Sequence, residues 1–150
     1  MKYLAKVIFY FFASLSLLGG CSNRSFDKDE LGGQWLISGS GKNRSLSISM
    51  DIHNGGEFEI SNLPRSVFYS GDLDGVVVKS SSGKWKIGES TNGQQVVDLI
   101  FEHADGVEGR LPFSVRLFLT TSHGKPVLIY YHGDPDTDPR LDFEKLGTAK

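Results

Sequence analysis

RSLSISMDIHNGGEFEIS, residues 44–61, decides the fold. From Arg44 to Asp51 the apolar residues Leu46, Ile48 and Met50 alternate with Ser45, Ser47, Ser49 and Asp51, and Ile52 continues the apolar register. A period of two puts one set of side chains on one face of an extended strand, so this stretch reads as a half-buried strand. His53-Asn54-Gly55-Gly56 follows, and Asn-Gly supplies the positive-φ residues that a tight hairpin turn favours. Glu57 to Ser61 then returns with Phe58 and Ile60 on one side and Glu57, Glu59 and Ser61 on the other.

The same period governs the chain on both sides of this hairpin. Trp35 to Ser38 reads as a first strand, ended by Gly39-Ser40-Gly41. Residues 62–75 (NLPRSVFYSGDLDG) lose the alternation, and their Pro, Gly and Asp content predicts a long loop with room for one helical turn. Residues 75–80 and 84–89 read as a second hairpin about Ser81-Ser82-Gly83. Gln94 to His103 is apolar in both registers, with Val97, Leu99 and Phe101 in one and Val96 and Ile100 in the other, which predicts a central strand. Residues 111–121 and 125–132 form two more strands joined at Ser122-His123-Gly124, and residues 140–146 close the set after the turn GDPDTDP. Eight or nine short strands separated by turn signals predict an all-β domain over residues 31–150, a single antiparallel barrel or sandwich.

The N-terminus has a different character. Lys2 and Lys6 precede an uncharged apolar run of twelve residues, Val7 to Leu18. A helix crossing a bilayer needs about 20 such residues, so residues 1–20 read as a cleaved secretory signal. The run closes on Leu18-Gly19-Gly20-Cys21, which resembles the lipobox of bacterial lipoproteins. That resemblance implies cleavage between Gly20 and Cys21, a diacylglycerol thioether on the Cys21 sulfur and an acyl chain such as palmitate on its new amino group. Each buried methylene contributes about 0.8 kcal/mol, so such an anchor would hold the protein on a membrane. By the sorting logic of Gram-negative lipoproteins, Ser22 after the cysteine implies the periplasmic face of the outer membrane. Residues 21–30, polar and charged after the cysteine, read as a flexible tether.

Removing residues 1–20 leaves 130, enough for one domain with a core of its own. Cys21 is the sole cysteine, so the fold must rest on packing without a disulfide. With Lys2 and Lys6 gone, 14 basic residues face 18 acidic ones and no basic run remains, which argues against nucleic acid as a partner.

Gly33-Gln34-Trp35 on the expected first strand resembles the G-x-W of lipocalins and related calycin barrels. The resemblance implies an up-and-down barrel in which a basic residue near the end packs over the Trp, and Arg140 is placed for that role. A different β fold with Trp35 as an ordinary core aromatic fits the same three residues.

Catalytic and metal chemistry find little support. Asp134, Asp136 and Asp138 have the opening spacing of a calcium loop, but Pro139 stands where that loop needs Gly and Lys145 where it needs Glu. His53, His103, His123 and His132 show no paired metal spacing. Ser81 to Lys84 and Ser122 to Lys125 fit S-x-x-K, yet both fall in expected turns rather than on a helix. Gly39-Ser40-Gly41-Lys42 lacks the rest of a phosphate loop, and no G-x-S-x-G is present. Neither a cofactor nor an enzymatic activity is expected.

Recognition remains. If Phe113, Val115, Leu117 and Leu119 form the core with Val127, Ile129 and Tyr131, then Arg116, Phe118, Leu128, Tyr130 and His132 share the opposite face. Arg and aromatic side chains carry much of the energy of interfaces. That face predicts a protein-binding module of the envelope, such as an immunity protein or an accessory factor. In the other arrangement the 62–75 loop folds over this face with Val67, Phe68 and Tyr69 and covers it. The alternative function, a lipocalin-like carrier of a small apolar ligand, requires a cavity lined by Trp35, Phe58 and Phe101.

Overall fold

A computed structural model describes residues 24–37, 47–69, 76–107, 109–133 and 140–147. The expected leader with Gly20 and Cys21, the Gly39 to Lys42 stretch and the Asp134, Asp136, Asp138 triplet lie outside the described residues.

Eight antiparallel strands close into a barrel in sequence order: β1 (Gly33–Ile37), β2 (Ser49–Ile52), β3 (Glu57–Pro64), β4 (Val77–Glu89), β5 (Gln95–Ala104), β6 (Phe113–Ser122), β7 (Lys125–Tyr131) and β8 (Arg140–Lys145). The seam is the pairing of β1 with β8, where Trp35 stands opposite Lys145 and Ile37 opposite Phe143. Closure removes every edge, so the sequence alternative of a sandwich is replaced by a single barrel.

The founding hairpin pairs Met50 with Ile60 and Ile52 with Phe58, and all four are buried. Its turn differs from the expected one. Gly56 takes the positive φ of 96°, its N–H donates to His53 O at 3.0 Å, and His53 N donates to Glu57 O at 2.9 Å. Neither Asn54 nor Gly55 has positive φ, so the loop is one residue longer than the two-residue turn that Asn-Gly suggests.

The expected second hairpin does not exist. Val77 to Glu89 is one continuous strand, and Ser81-Ser82-Gly83 lies in its middle. Ser81 is completely buried, faces Ile60 and donates its Oγ to Ile60 O at 3.3 Å. At Ser82/Gly83 the pairing with β5 shifts by one residue, a bulge that leaves Glu102 unopposed. A Cβ on Gly83 would stand 2.0 Å from Ile100 O, so the glycine serves close strand approach rather than a turn. Ser-Ser-Gly satisfies either reading locally, and the ladder on both sides decides between them.

Inside, Trp35, Phe58, Leu99, Phe101, Leu117, Leu128 and Phe143 are all but inaccessible. Phe101 packs edge-on against Phe58 and Phe68, both at 5.0 Å between centroids, and Phe68 lies 5.7 Å from Phe113. The void among Ile60, Leu99, Phe101, Leu117 and Phe143 amounts to about 10 Å³. Val96, expected in the second register of a central strand, is buried on the outside of the barrel opposite Gly88 and Phe118.

One end, the base, carries the tight turns and a short helix, α1 (Lys28–Leu31). Asp27 accepts from Glu30 N at 2.9 Å, and the Glu30 carboxylate accepts from Asp27 N at 3.3 Å, a reciprocal cap. Leu31 is fully buried, Trp35 Nε1 donates to Leu31 O at 3.0 Å, and Lys145 Nζ donates to Glu30 O at 2.6 Å. The basic residue beside the Trp is therefore Lys145. Arg140, expected there, starts β8 at the far end of the barrel and pairs with Asp142 at 3.1 Å.

The tether is shorter than expected. Phe26 is only 4% exposed, and its N–H and C=O engage the Gln95 side chain at 2.8 and 2.6 Å. Residues 26–30, read from sequence as flexible, are docked on the base.

Candidate functional site

The end opposite the base, the rim, receives the longer connections. After β3, Pro64 leads into a 3₁₀ turn (Arg65–Val67), whose last residue is buried and which hands the chain to Phe68. Phe68 fills the mouth of the barrel against Phe101 and Phe113. Of the stretch read as a loop over residues 62–75, Asn62 to Pro64 continue β3, and Val67 and Phe68 plug an end of the barrel instead of covering a side face as one arrangement of the sequence had it.

Tyr69, the next residue, remains half-buried at the surface. The Arg65 Cζ lies 5.1 Å from its ring centroid and the Arg110 Cζ 4.6 Å from it. Arg65 arrives from the 3₁₀ turn and Arg110 from the connection between β5 and β6. Each is held by a backbone carbonyl: Arg65 Nη2 donates to Gly106 O at 3.1 Å, and Arg110 Nη1 donates to Phe68 O at 3.2 Å.

Of the expected face, the structure separates what the sequence grouped. Leu119 pairs with Leu128 and Phe118 with Ile129, so β7 presents Leu128 and Tyr130 inward and Val127, Ile129 and Tyr131 outward. The expected β7 register is inverted. His123 and Gly124 both adopt positive φ, 51° and 76°, and form a two-residue turn between Ser122 and Lys125. Reading Ser122 as a loop residue shifts the parity of β7 by one, and both of its registers are apolar enough to accept the error.

Tyr130 therefore lies inside the rim, against Leu63, Val67 and Leu141, and its hydroxyl stands 3.4 Å from His132 Nδ1. Burial pushes the Tyr130 phenol above its ordinary value of 10.0. Arg116 and Phe118 face outward on the flank. Arg116 makes a two-pronged contact to Asp98, Nε to Oδ1 at 2.7 Å and Nη2 to Oδ2 at 3.2 Å. That hydrogen bonding, then the Asp98 charge, raises the Arg116 pKa. Phe118 meets the outward Tyr131 ring at 5.6 Å.

Among the described residues no three His, Cys, Asp or Glu side chains converge as metal ligands. His53 and His123 are exposed, and His103 contacts Asp105 at 3.2 Å. Ser81 and Lys84 share one extended strand, which leaves that S-x-x-K pair without the helical turn it needs. The Arg65–Tyr69–Arg110 stack has no motif in the sequence. Two loops 40 residues apart build it, and only their shared rim brings them together. At the base, an open cleft of about 780 Å³ lies between Arg24, Phe26, Glu89, Gln95 and Thr121.

No family model matches this chain, and no curated protein matches it. Fold and site define a class: a closed eight-stranded up-and-down barrel with a filled interior, whose rim carries paired guanidinium and aromatic groups.

Proposed function

We propose that the protein is a lipid-anchored, non-catalytic barrel of the cell envelope that binds another protein through its rim. The observation that carries this reading is the filled interior. Ligand pockets for small molecules usually run to about 300–1,000 Å³, against about 10 Å³ among Ile60, Leu99, Phe101, Leu117 and Phe143 inside the barrel, while the base cleft of about 780 Å³ is open and chiefly polar, unlike the enclosed apolar cavity a carrier needs. That supports a binding module over the lipocalin-like carrier, although the strand order and the pairing of Trp35 with Lys145 at the base favour a calycin-like barrel as the ancestry of the scaffold. Tyr and Arg, the residue types that anchor interfaces, stand on the rim instead.

Position supports the same reading. Phe26 is fixed on the base, five positions along the chain from Cys21. Fully extended, that stretch reaches about 17 Å at most. An acylated Cys21 at the periplasmic face of the outer membrane would hold the base near the lipid and turn the rim toward the periplasm. An immunity protein against a toxin delivered there, or an envelope accessory factor, fits such a display.

Two measurements test it on the full chain made from its own leader. Alkynyl palmitate should label the wild type and fail to label Cys21→Ala, and equal labelling of both would remove the anchor. Native mass spectrometry of the detergent-released protein should show the acylated chain without a further adduct. A stoichiometric extra mass of a few hundred daltons would make the carrier reading correct.

A further inference from the structure

We infer that Arg65, Tyr69 and Arg110 form an oxyanion site on the rim, and that it takes a carboxylate-bearing acidic segment of the protein partner. The second half of this inference rests on the protein-binding reading above.

The arginines themselves point to it. Arg24, Arg116 and Arg140 each pair with a carboxylate of the chain: Glu30, Asp98 and Asp142. Arg65 and Arg110 pair with none among the described residues. Instead both guanidiniums stand over one ring, within about 10 Å of each other, a Debye length at 0.1 M salt, so that each feels the other's charge. The ring quadrupole favours each cation but leaves their mutual repulsion standing. A protein of net charge −2, which neutralises its other described arginines, keeps these two together with no carboxylate partner among the described residues.

Their donors are also in surplus. A guanidinium carries five N–H groups, and each of these two spends one on a backbone carbonyl. Arg65 Nε is buried and finds no acceptor. The carbonyl bonds and the stacked ring fix both groups before any ligand arrives, which lowers the ordering cost of binding. Fixed planar forks match planar carboxylates in two-pronged fashion, as Arg116 and Asp98 already show on the flank.

The test uses the full acylated chain in detergent, labelled with ¹⁵N-arginine, and follows the Nε–H signals. The probes are hexaglutamate, hexaglutamine and inorganic phosphate. Hexaglutamate should shift the Arg65 and Arg110 signals saturably, and hexaglutamine should not. Arg110 is exposed, so Arg110→Gln should fold normally and weaken the peptide by about tenfold or more, whereas Arg140→Gln should leave it unchanged. Arg65→Gln gives a second, independent removal of the pair. Unaltered affinity in Arg110→Gln would overturn the site. Phosphate saturating both signals at lower concentration than hexaglutamate would overturn the carboxylate assignment. Binding that appears only after Asp72→Asn and Asp74→Asn would assign the cations to the chain's own carboxylates and equally overturn it. None of these readouts depends on palmitate labelling or on the mass of the released protein, so the anchor and the site stand or fall separately.

Discussion

Lys145 shows how much one side chain can decide at the base. Its Cα partner is Trp35, and its ammonium caps the C=O of Glu30 in α1, so it ties the last strand to both the first strand and the helix. Gly33 makes room for it: φ there is 121°, and a Cβ would meet Lys145 Cε at 3.3 Å. Lys145→Met removes a charged hydrogen bond and should lower stability by about 2 kcal/mol in urea unfolding. Arg140→Met breaks only a surface pair and should cost less than about 1 kcal/mol. If the two costs came out reversed, Arg140 would be the residue that secures the barrel. Tyr130 gives a pH signature. Burial raises its pKa above 10.0, so the folded state keeps a proton that the unfolded chain sheds. Its contribution is intact below pH 10 and is lost as pH rises from there through the elevated folded value. Stability should therefore fall across that alkaline window, and less steeply in Tyr130→Phe. At this scale the sequence was half legible: G-x-W pointed to a basic partner for Trp35, but spacing alone could not tell Arg140 from Lys145, because only the β1–β8 register separates them.

Among the elements, β3 and β4 explain where reading by period succeeds and where it stops. The Ile52/Phe58 pairing was visible because polar and apolar residues alternate cleanly on both arms. β4 was not, because Ser81-Ser82-Gly83 carries turn chemistry inside a strand of 13 residues. Buried serine with a backbone acceptor and glycine under a facing carbonyl are long-range facts, absent from any local window. Gly83→Ala follows directly: its methyl would sit 2.0 Å from Ile100 O, so β4 and β5 must separate at the bulge. A loss of about 3 kcal/mol is expected in thermal or urea unfolding, from overpacking that cannot relax. A cost within experimental error would mean that the strands do not approach there. β7 taught a simpler lesson. A two-residue turn sets the parity of the next strand, so miscounting the loop by Ser122 turned Tyr130 and His132 to the wrong face.

At the level of the whole molecule, the barrel class was legible from strand count and turn spacing, whereas the rim was not, since Arg65 and Arg110 meet only once β3 to β6 have paired. The polarity of the barrel matters for its proposed role: the N-terminal clasp on Gln95 and the stack on Tyr69 lie at opposite ends. The β1–β8 seam also has a history in time. Seven of the eight strand contacts join neighbours in sequence and can form as local hairpins, whereas the seam joins residues more than 100 apart. Such remote pairing costs the most chain entropy and should come last. Stopping the chain after Pro139 should then abolish cooperative unfolding in calorimetry, since it strips β1 and β7 of a partner and deletes the buried Phe143. In kinetics, Lys145→Met should speed unfolding and leave the refolding rate nearly unchanged. Until residue 145 has been made, the growing chain carries two open strand edges, so its vulnerable interval is set by how quickly residues 140–145 follow the strands before them.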